Sequence, residues 1–406
     1  MSTVRSARIR RVYDSRGQPT VEVTVVSSDG GTGVVAAPSG ASTGTHEVRA
    51  LPEGGVEAAL RTFASDVAPA LGGASLDDLG TVDGLLHRID GTPTFSRIGG
   101  NTATATSLAA ARAAASDRGI ELWQWLKRPG VTGAKFPAIV GNCLNGGRHA
   151  IGGPEIQEFI AFAPEARPDD AVRVALEVHR RVGAALHKKF PKASLGRGDE
   201  GGWVAPIGNV EAIELLAEAC QQASDALHLA VHPGLDLAAS EFYEAGQYRY
   251  REQTLTPEGQ LGFLTRLVDK YGLRYLEDPF DQEAYDSFAE LTKAVGAKTL
   301  VVGDDLYTTR LSRVEAGVAR HATNAVLIKV NQVGTLTDTL ATVDYARAHG
   351  QRTVTSHRSG DVPDGWLAQL AVATEAAGLK CGLLGGERVA KLNELLRLGA
   401  PHPEGP

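Results

Sequence analysis

Residues 324–332 read Asn-Ala-Val-Leu-Ile-Lys-Val-Asn-Gln. The run Val326-Leu327-Ile328 has the character of a strand buried on both faces, as in a parallel sheet, and Lys329 stands at its C-terminal end. A lysine there either snorkels to solvent or serves as a base of depressed pKa. Three upstream segments have the same form but end in acids: Leu235-Asp236, Tyr275-Leu276-Glu277-Asp278 and Val301-Val302-Gly303-Asp304-Asp305. Strands with polar tips predict a barrel whose top face is a metal-and-lysine active site.

Outward from this stretch the pattern repeats. From Phe136 onward, short apolar runs alternate with amphipathic helices. One helix is marked by Ala171, Val174, Ala175, Val178, Val182 and Leu186. Another is marked by Leu336, Leu340, Val343 and Ala346 and stopped by Gly350. This favours a closed α/β barrel of the TIM type over a doubly wound open sheet. No Gly-x-Gly-x-x-Gly follows a strand, which weakens a dinucleotide site. Before Phe136, residues 3–37 read as strands, with Thr20 to Val25 alternating at period two. Residues 55–126 read as helices, with Val56, Leu60, Phe63 and Val67 as one apolar stripe and an alanine-rich helix from Asn101 to Gly119. Together they make a small α+β domain, and Pro129 to Gly133 reads as its linker. Pro38 to Gly44 is a loop of small residues, either a connection or a lid closing on a ligand. Gly399 to Pro406 reads as a frayed tail.

A chain of 406 residues has room for a large core, and a net charge of −7 without basic runs argues against nucleic-acid binding. The three cysteines, Cys143, Cys220 and Cys381, are widely spaced and suggest a reducing compartment. Met1 to Arg11 has no apolar signal region, and no stretch is long and apolar enough for a bilayer. A cytoplasmic chain is the expectation.

Taken singly, Asp236, Glu277 and Asp304 each read as a cap or an exposed loop acid. Together, at consecutive strand ends, they converge and repel unless a cation binds. Oxygen ligands suit a hard ion, so Mg²⁺ is the expected occupant. Gly198-Asp199-Glu200-Gly201-Gly202 is a surface turn, or a loop in which desolvation holds Glu200 protonated. Gln157-Glu158 interrupts the apolar segment Ile156 to Phe162, so Glu158 points to a barrel interior or its mouth. Arg358 and Ser359 follow the strand Gln351 to Thr355 and could grip a phosphate. Lys380 is expected at another strand end. Lysines, acids and Mg²⁺ together suit proton abstraction beside a carboxylate, the design used by the enolase superfamily with one or two Mg²⁺.

The segments DSRGQPTVEVTV, PSGASTGTHE, NGGRHA, IQEF, GDEGGWVAP, LDLAASEFY, LEDPFDQ, VVGDDL, LIKVNQVGTLTDTL, TSHRSG and AKLNELLR resemble the enolase family in its own order along nearly the whole chain. The resemblance implies an N-terminal α+β capping domain, residues 1–134, on a modified (β/α)8 barrel, residues 135–406, whose second strand runs antiparallel. It implies reversible dehydration of 2-phosphoglycerate to phosphoenolpyruvate in glycolysis and gluconeogenesis. By the same resemblance Lys329 is the base at C2, and Glu200 is the acid, with Glu158 as its partner. Asp236, Glu277 and Asp304 hold the first of two Mg²⁺ ions, and Ser42 helps hold the second. Lys380 neutralises the substrate carboxylate, Arg358 and Ser359 hold the phosphate, and Gln157, His149 and His357 line the pocket. A homodimer is implied, with Glu22 and Arg397 at positions that pair across its interface.

The chain departs from the family at Ala150 to Glu155, at Asp361-Val362-Pro363-Asp364 and at Leu383-Leu384-Gly385-Gly386. These flank the pocket and open a second reading: the same chemistry on a related substrate, as in carboxyphosphonoenolpyruvate-type synthesis for phosphonate natural products. A binding or structural role has no need of Lys329, Glu200 and three metal acids together.

Overall fold

The computed structural model describes residues 2–400 except 41–43, 134 and 151. Ser42 and the tail from residue 401 therefore lie outside the described residues.

The chain begins with an antiparallel meander of β1 (Val4–Tyr13), β2 (Pro19–Ser27) and β3 (Thr32–Ala36). Val21, Val23 and Val25 are fully buried while Glu22 and Thr24 are not, as period-two alternation requires. The buried face packs on the helix Gly100–Asp117. Threonine and alanine let that helix lie close. A Cβ on Gly33 would stand 1.9 Å from the Ala109 carbonyl oxygen. The apolar stripe of the preceding helix differs from the expectation at one position: Ala59 is buried and Leu60 only partly so. The helix Gly55–Thr62 runs into a π-turn over Phe63–Val67, which shifts the register of the face. Arg128 and Thr132, on either side of the linker's middle, are tied to the barrel through Asp344 and Glu375.

The second part is a closed eight-stranded barrel. Its strands are β4 (Ala138–Asn145), β5 (Glu158–Phe162) and β6 (His232–Asp236), then, after a small sheet of β7 (Tyr243–Glu244), β8 (Gln247–Arg249) and β9 (Thr254–Leu255), five more. These are β10 (Tyr275–Glu277), β11 (Leu300–Gly303), β12 (Ala325–Ile328), β13 (Arg352–Ser356) and β14 (Gly378–Gly382). Neighbours pair in parallel except at β5, which is antiparallel to both β4 and β6. This reversal matches the expected modified barrel. It also has a chemical consequence, because the first residue of β5 stands at the end where its neighbours finish. Glu158 is accordingly paired in register with Asn145 and with Asp236. Val140, Ile160, Phe162, Tyr275, Val302, Leu327 and Val354 fill the barrel interior.

Helices such as Pro168–Lys189 and Leu336–Ala348 cover the outside. Among the described residues no helix is long and apolar enough to cross a membrane. The turn Asp14–Gly17 of the N-terminal sheet reaches the top of the barrel. Ser15 N–H donates to the Asp361 carbonyl at 2.9 Å, and Arg16 pairs with Asp199 at 3.0 Å. The root of the small-residue loop is fixed there too, by reciprocal backbone bonds of Ser39 and Gly360 at 2.7 and 2.8 Å.

Candidate active site

The polar strand ends converge on one cleft at the top of the barrel. Seven carboxylates line it against three cationic side chains, Lys329, Arg358 and Lys380. Lys329 Nζ lies 2.5 Å from Asp304 Oδ2, and Gln332 Nε2 donates to Asp304 Oδ1 at 2.8 Å. Lys380 Nζ lies 2.7 Å from both Asp236 Oδ2 and Glu277 Oε1, and 3.1 Å from Glu158 Oε1. Lys380 is the third residue of β14, not at its end as expected, yet it is level with Ser356, the last residue of β13. The shear of the barrel makes a mid-strand residue part of the rim. Tyr275 donates its hydroxyl to Glu277 Oε2 at 2.6 Å.

Across the cleft stand Glu200 and two histidines. His357 Nε2 lies 3.3 Å from Glu200 Oε2, and His149 Nδ1 lies 3.8 Å from Glu200 and 3.9 Å from Glu158. Asn142 Nδ2 donates to Glu200 at 3.0 Å. Gln157 reaches Asp236 Oδ2 at 3.5 Å. His149 Nδ1, Gln157 Oε1, Glu158 Oε2 and His357 Nε2 are buried without a hydrogen-bond partner. Native interiors rarely leave such atoms unpaired, so four of them at one cleft mark a place built for a polar ligand.

The electrostatics show too little positive charge. Burial and then Asp236 push Glu277 up to about 8, and burial and then Asp304 push Asp305 up to about 7. Burial and neighbouring acids hold Asp278 and Glu158 well above the usual carboxylate range. Burial works against the Lys380 ammonium, but Asp236, Glu158 and Glu277 outweigh it and raise its pKa well above the ordinary value. Glu277, Asp278 and Asp304 bring ligand oxygens within 4.8 Å of one another, and Lys380 bridges Asp236 to Glu277. The ammonium groups occupy positions that carboxylates offer to a cation. An all-oxygen donor set with unmet negative charge fits a hard divalent ion.

Burial raises the Glu200 carboxyl, while contacts with His357, His149 and Arg388 lower it. Glu158 faces other acids instead and is held above its ordinary value by burial and then by Glu200. Two carboxylates at one site do not both ionise, and the environment decides which does.

Several residues escaped the sequence reading. Glu47 clasps Arg358, with contacts of 2.9 and 3.1 Å, and Asn331 accepts from the same guanidinium at 2.8 Å. Asp278, at φ 40°, accepts the backbone N–H of Asp304 at 3.0 Å and of Asp305 at 2.8 Å, so it orients the end of β11. Arg388 is fully buried beneath the cleft. Glu47, Asn331 and Asp278 belong to stretches already singled out, but the second acid of a pair such as Glu277-Asp278 carries no signal of its own, and Arg388 lies just outside the segment AKLNELLR. Glu22 pairs within the chain with Arg10 at 2.5 Å, and Arg397 with Glu121 at 2.8 Å and Glu394 at 2.8 Å.

Comparison with known proteins agrees with this geometry. Residues 134–401 match the family model described as Enolase, C-terminal TIM barrel domain, and residues 4–126 match Enolase, N-terminal domain. The Enolase of Methanosphaera stadtmanae is 42% identical over 98% of this chain and 97% of its own. The Enolase of Picrophilus torridus is 40% identical over 97% and 98%, and that of Halorubrum lacusprofundi 43% over 98% and 99%. With both parts matched and relatives of one name spanning nearly every residue, the chain belongs to the enolase family of carbon–oxygen lyases.

Proposed function

We propose that the chain catalyses the reversible Mg²⁺-dependent dehydration of 2-phosphoglycerate to phosphoenolpyruvate. The observation that carries this is the placement of Lys329, Glu158 and Glu200 around one polar cleft lined by strand-end acids. Lys329 takes the C2 proton. The C3–O bond then breaks, the C2=C3 bond forms, and the departing hydroxide leaves as water with the proton of the Glu158–Glu200 pair. Glu200 is the acid toward the C3 hydroxyl and Glu158 its proton reservoir. Mg²⁺, held by Asp236, Glu277 and Asp304, and a second ion assisted by Ser42, would supply the positive charge that lets a substrate carboxylate accept further negative charge.

In the ligand-free arrangement burial lowers the Lys329 pKa, but Asp304 outweighs it and the ammonium is held above its ordinary value. A cation on Asp304 competes for that carboxylate and frees the amine to act as a base. Lys380 faces the substrate carboxylate. Arg358 and Ser359 hold the phosphate, with Glu47 giving up part of its clasp on Arg358. Gln157, His149 and His357 supply the remaining polar contacts from their unpartnered atoms. Three free buried cysteines support a reducing, cytoplasmic setting.

The second reading keeps the chemistry on a related phospho- or phosphono-carboxylic acid. It is favoured by the departure at Leu383–Gly386. A Cβ on Gly201 would stand 2.4 Å from the Leu384 carbonyl oxygen, so that loop abuts the residue next to Glu200. Purified protein with Mg²⁺ and 2-phosphoglycerate, followed by enolpyruvate absorbance, separates the two. Turnover supports the first reading, and inertness toward 2-phosphoglycerate with turnover of a phosphonate analogue supports the second.

A further inference from the structure

The Arg388 guanidinium has no substrate-facing part in the mechanism above. It projects from the helix Gly386–Gly399. NH1 donates to His357 Nδ1 at 2.7 Å, to the Arg358 carbonyl at 2.6 Å and toward Asp361 Oδ2 at 3.1 Å. NH2 donates to the Ser359 carbonyl at 2.7 Å and the Asp199 carbonyl at 3.1 Å. One side chain thus ties the phosphate loop, the backbone beside Glu200 and the ring of His357. A buried guanidinium is costly unless its charge and donors are met. Asp361 supplies the countercharge and also pairs with Lys391 at 3.0 Å.

The contact to the ring decides a tautomer. A guanidinium is always protonated in a protein and has no acceptor. The other group on Nδ1, the backbone N–H of Gly382 at 3.3 Å, can only donate as well. Nδ1 therefore presents its lone pair to both, and the proton of the neutral ring sits on Nε2. That nitrogen faces Glu200 Oε2 at 3.3 Å and is otherwise unpartnered. Burial, with the Arg388 charge and against the pull of Glu200, brings the imidazole down to about 4, so the ring is neutral at pH 7.

We propose that Arg388 is a positioning residue of the reaction. It locks His357 as the Nε2–H tautomer, so that the ring donates to Glu200 or to a substrate oxygen beside it and cannot accept the leaving proton there. The role in turnover rests on the assignment of Glu200 to the reacting pair, but the tautomer is read without turnover.

The experiment uses the full-length, metal-free protein with nitrogen-15-labelled histidine. Long-range proton–nitrogen spectra report the tautomer, and His357→Asn identifies the signals. The wild type is expected to show a pyridine-type Nδ1 and a pyrrole-type Nε2 at His357. In Arg388→Met an Nδ1–H population is expected, with kcat lower by on the order of 10- to 100-fold. Arg388→Lys, which restores a donor, is expected to recover the Nε2–H form and part of kcat. A wild-type His357 carrying its proton on Nδ1 overturns the proposal. So does an Arg388→Met protein that loses kcat while remaining wholly Nε2–H, since the residue would then act by packing alone. If Arg388→Met does not fold, the wild-type spectrum still decides. A wild type inert toward 2-phosphoglycerate but Nε2–H at His357 would refute the proposed reaction and leave the tautomer lock standing.

Discussion

Glu158 is the register partner of Asp236 across the antiparallel pair β5–β6, although one residue begins its strand and the other ends its own. The reversed strand thereby brings the Glu158 carboxyl alongside the carboxylate at the end of β6. Lys380 bridges the two, at 3.1 Å from Glu158 and 2.7 Å from Asp236.

Lys329→Ala is expected to abolish exchange of the C2 proton of 2-phosphoglycerate, with a loss of at least about 10²–10⁴-fold in turnover. Gln332 remains on Asp304, so the stability cost should stay near 1–3 kcal/mol. Deuterium incorporation at C2 checks the first and thermal unfolding the second. Retained exchange would assign the base elsewhere.

Glu200→Gln is expected to spare C2 exchange more than hydroxide loss. Burial and neighbouring acids raise the Glu158 carboxyl while the contacts of Glu200 lower its own, so Glu158→Gln should disturb the metal-free fold less than Glu200→Gln does. Exchange and elimination rates measured on both variants, with their unfolding midpoints, test this. Equal loss of both steps in Glu200→Gln counts against the acid assignment.

The raised acids fix the sign of a pH effect. Glu277 at about 8 and Asp305 at about 7 keep protons that the unfolded chain releases near pH 4. Below pH 4 they are protonated in both states. As pH rises from there to about 8 the folded state loses stability through them. Mg²⁺ binding requires the deprotonated forms, so its stabilisation should grow from pH 6 to pH 8. At about 100 times Kd it contributes about 2.7 kcal/mol. Unfolding midpoints with chelator and with Mg²⁺ at the two pH values measure it, and a Mg²⁺-induced shift that shrinks with pH would contradict the carboxylate site.

Gly33→Ala is expected to destabilise the N-terminal sheet by about 1–3 kcal/mol or more. The atoms a methyl group would strike belong to the backbone of the helix Gly100–Asp117, which cannot rotate away as a side chain can. Denaturant unfolding reads this, and an unchanged midpoint would mean that sheet and helix separate easily.

A homodimer in solution is the expected assembly, with Arg397 at its interface. If the intrachain pairs of Arg397 are exchanged for a partner's carboxylate, Arg397→Ala should weaken association, measured by sedimentation. If the wild type sediments as a monomer, the expected interface is absent.

The apolar runs that end in Asp236, Glu277, Asp304 and Lys329 determined the barrel and its reactive end, because strand burial and strand polarity are written locally as runs and their last residues. Motif order determined the family. The direction of β5 entered only through that family resemblance, since an apolar pentapeptide reads the same in either direction. Three-dimensional structure alone placed Lys380 at the rim from mid-strand, joined Glu47 to Arg358 across 311 residues, and brought Arg388 onto His357. Those facts depend on fields and contacts between segments far apart in the chain, and composition or spacing within a segment cannot carry them.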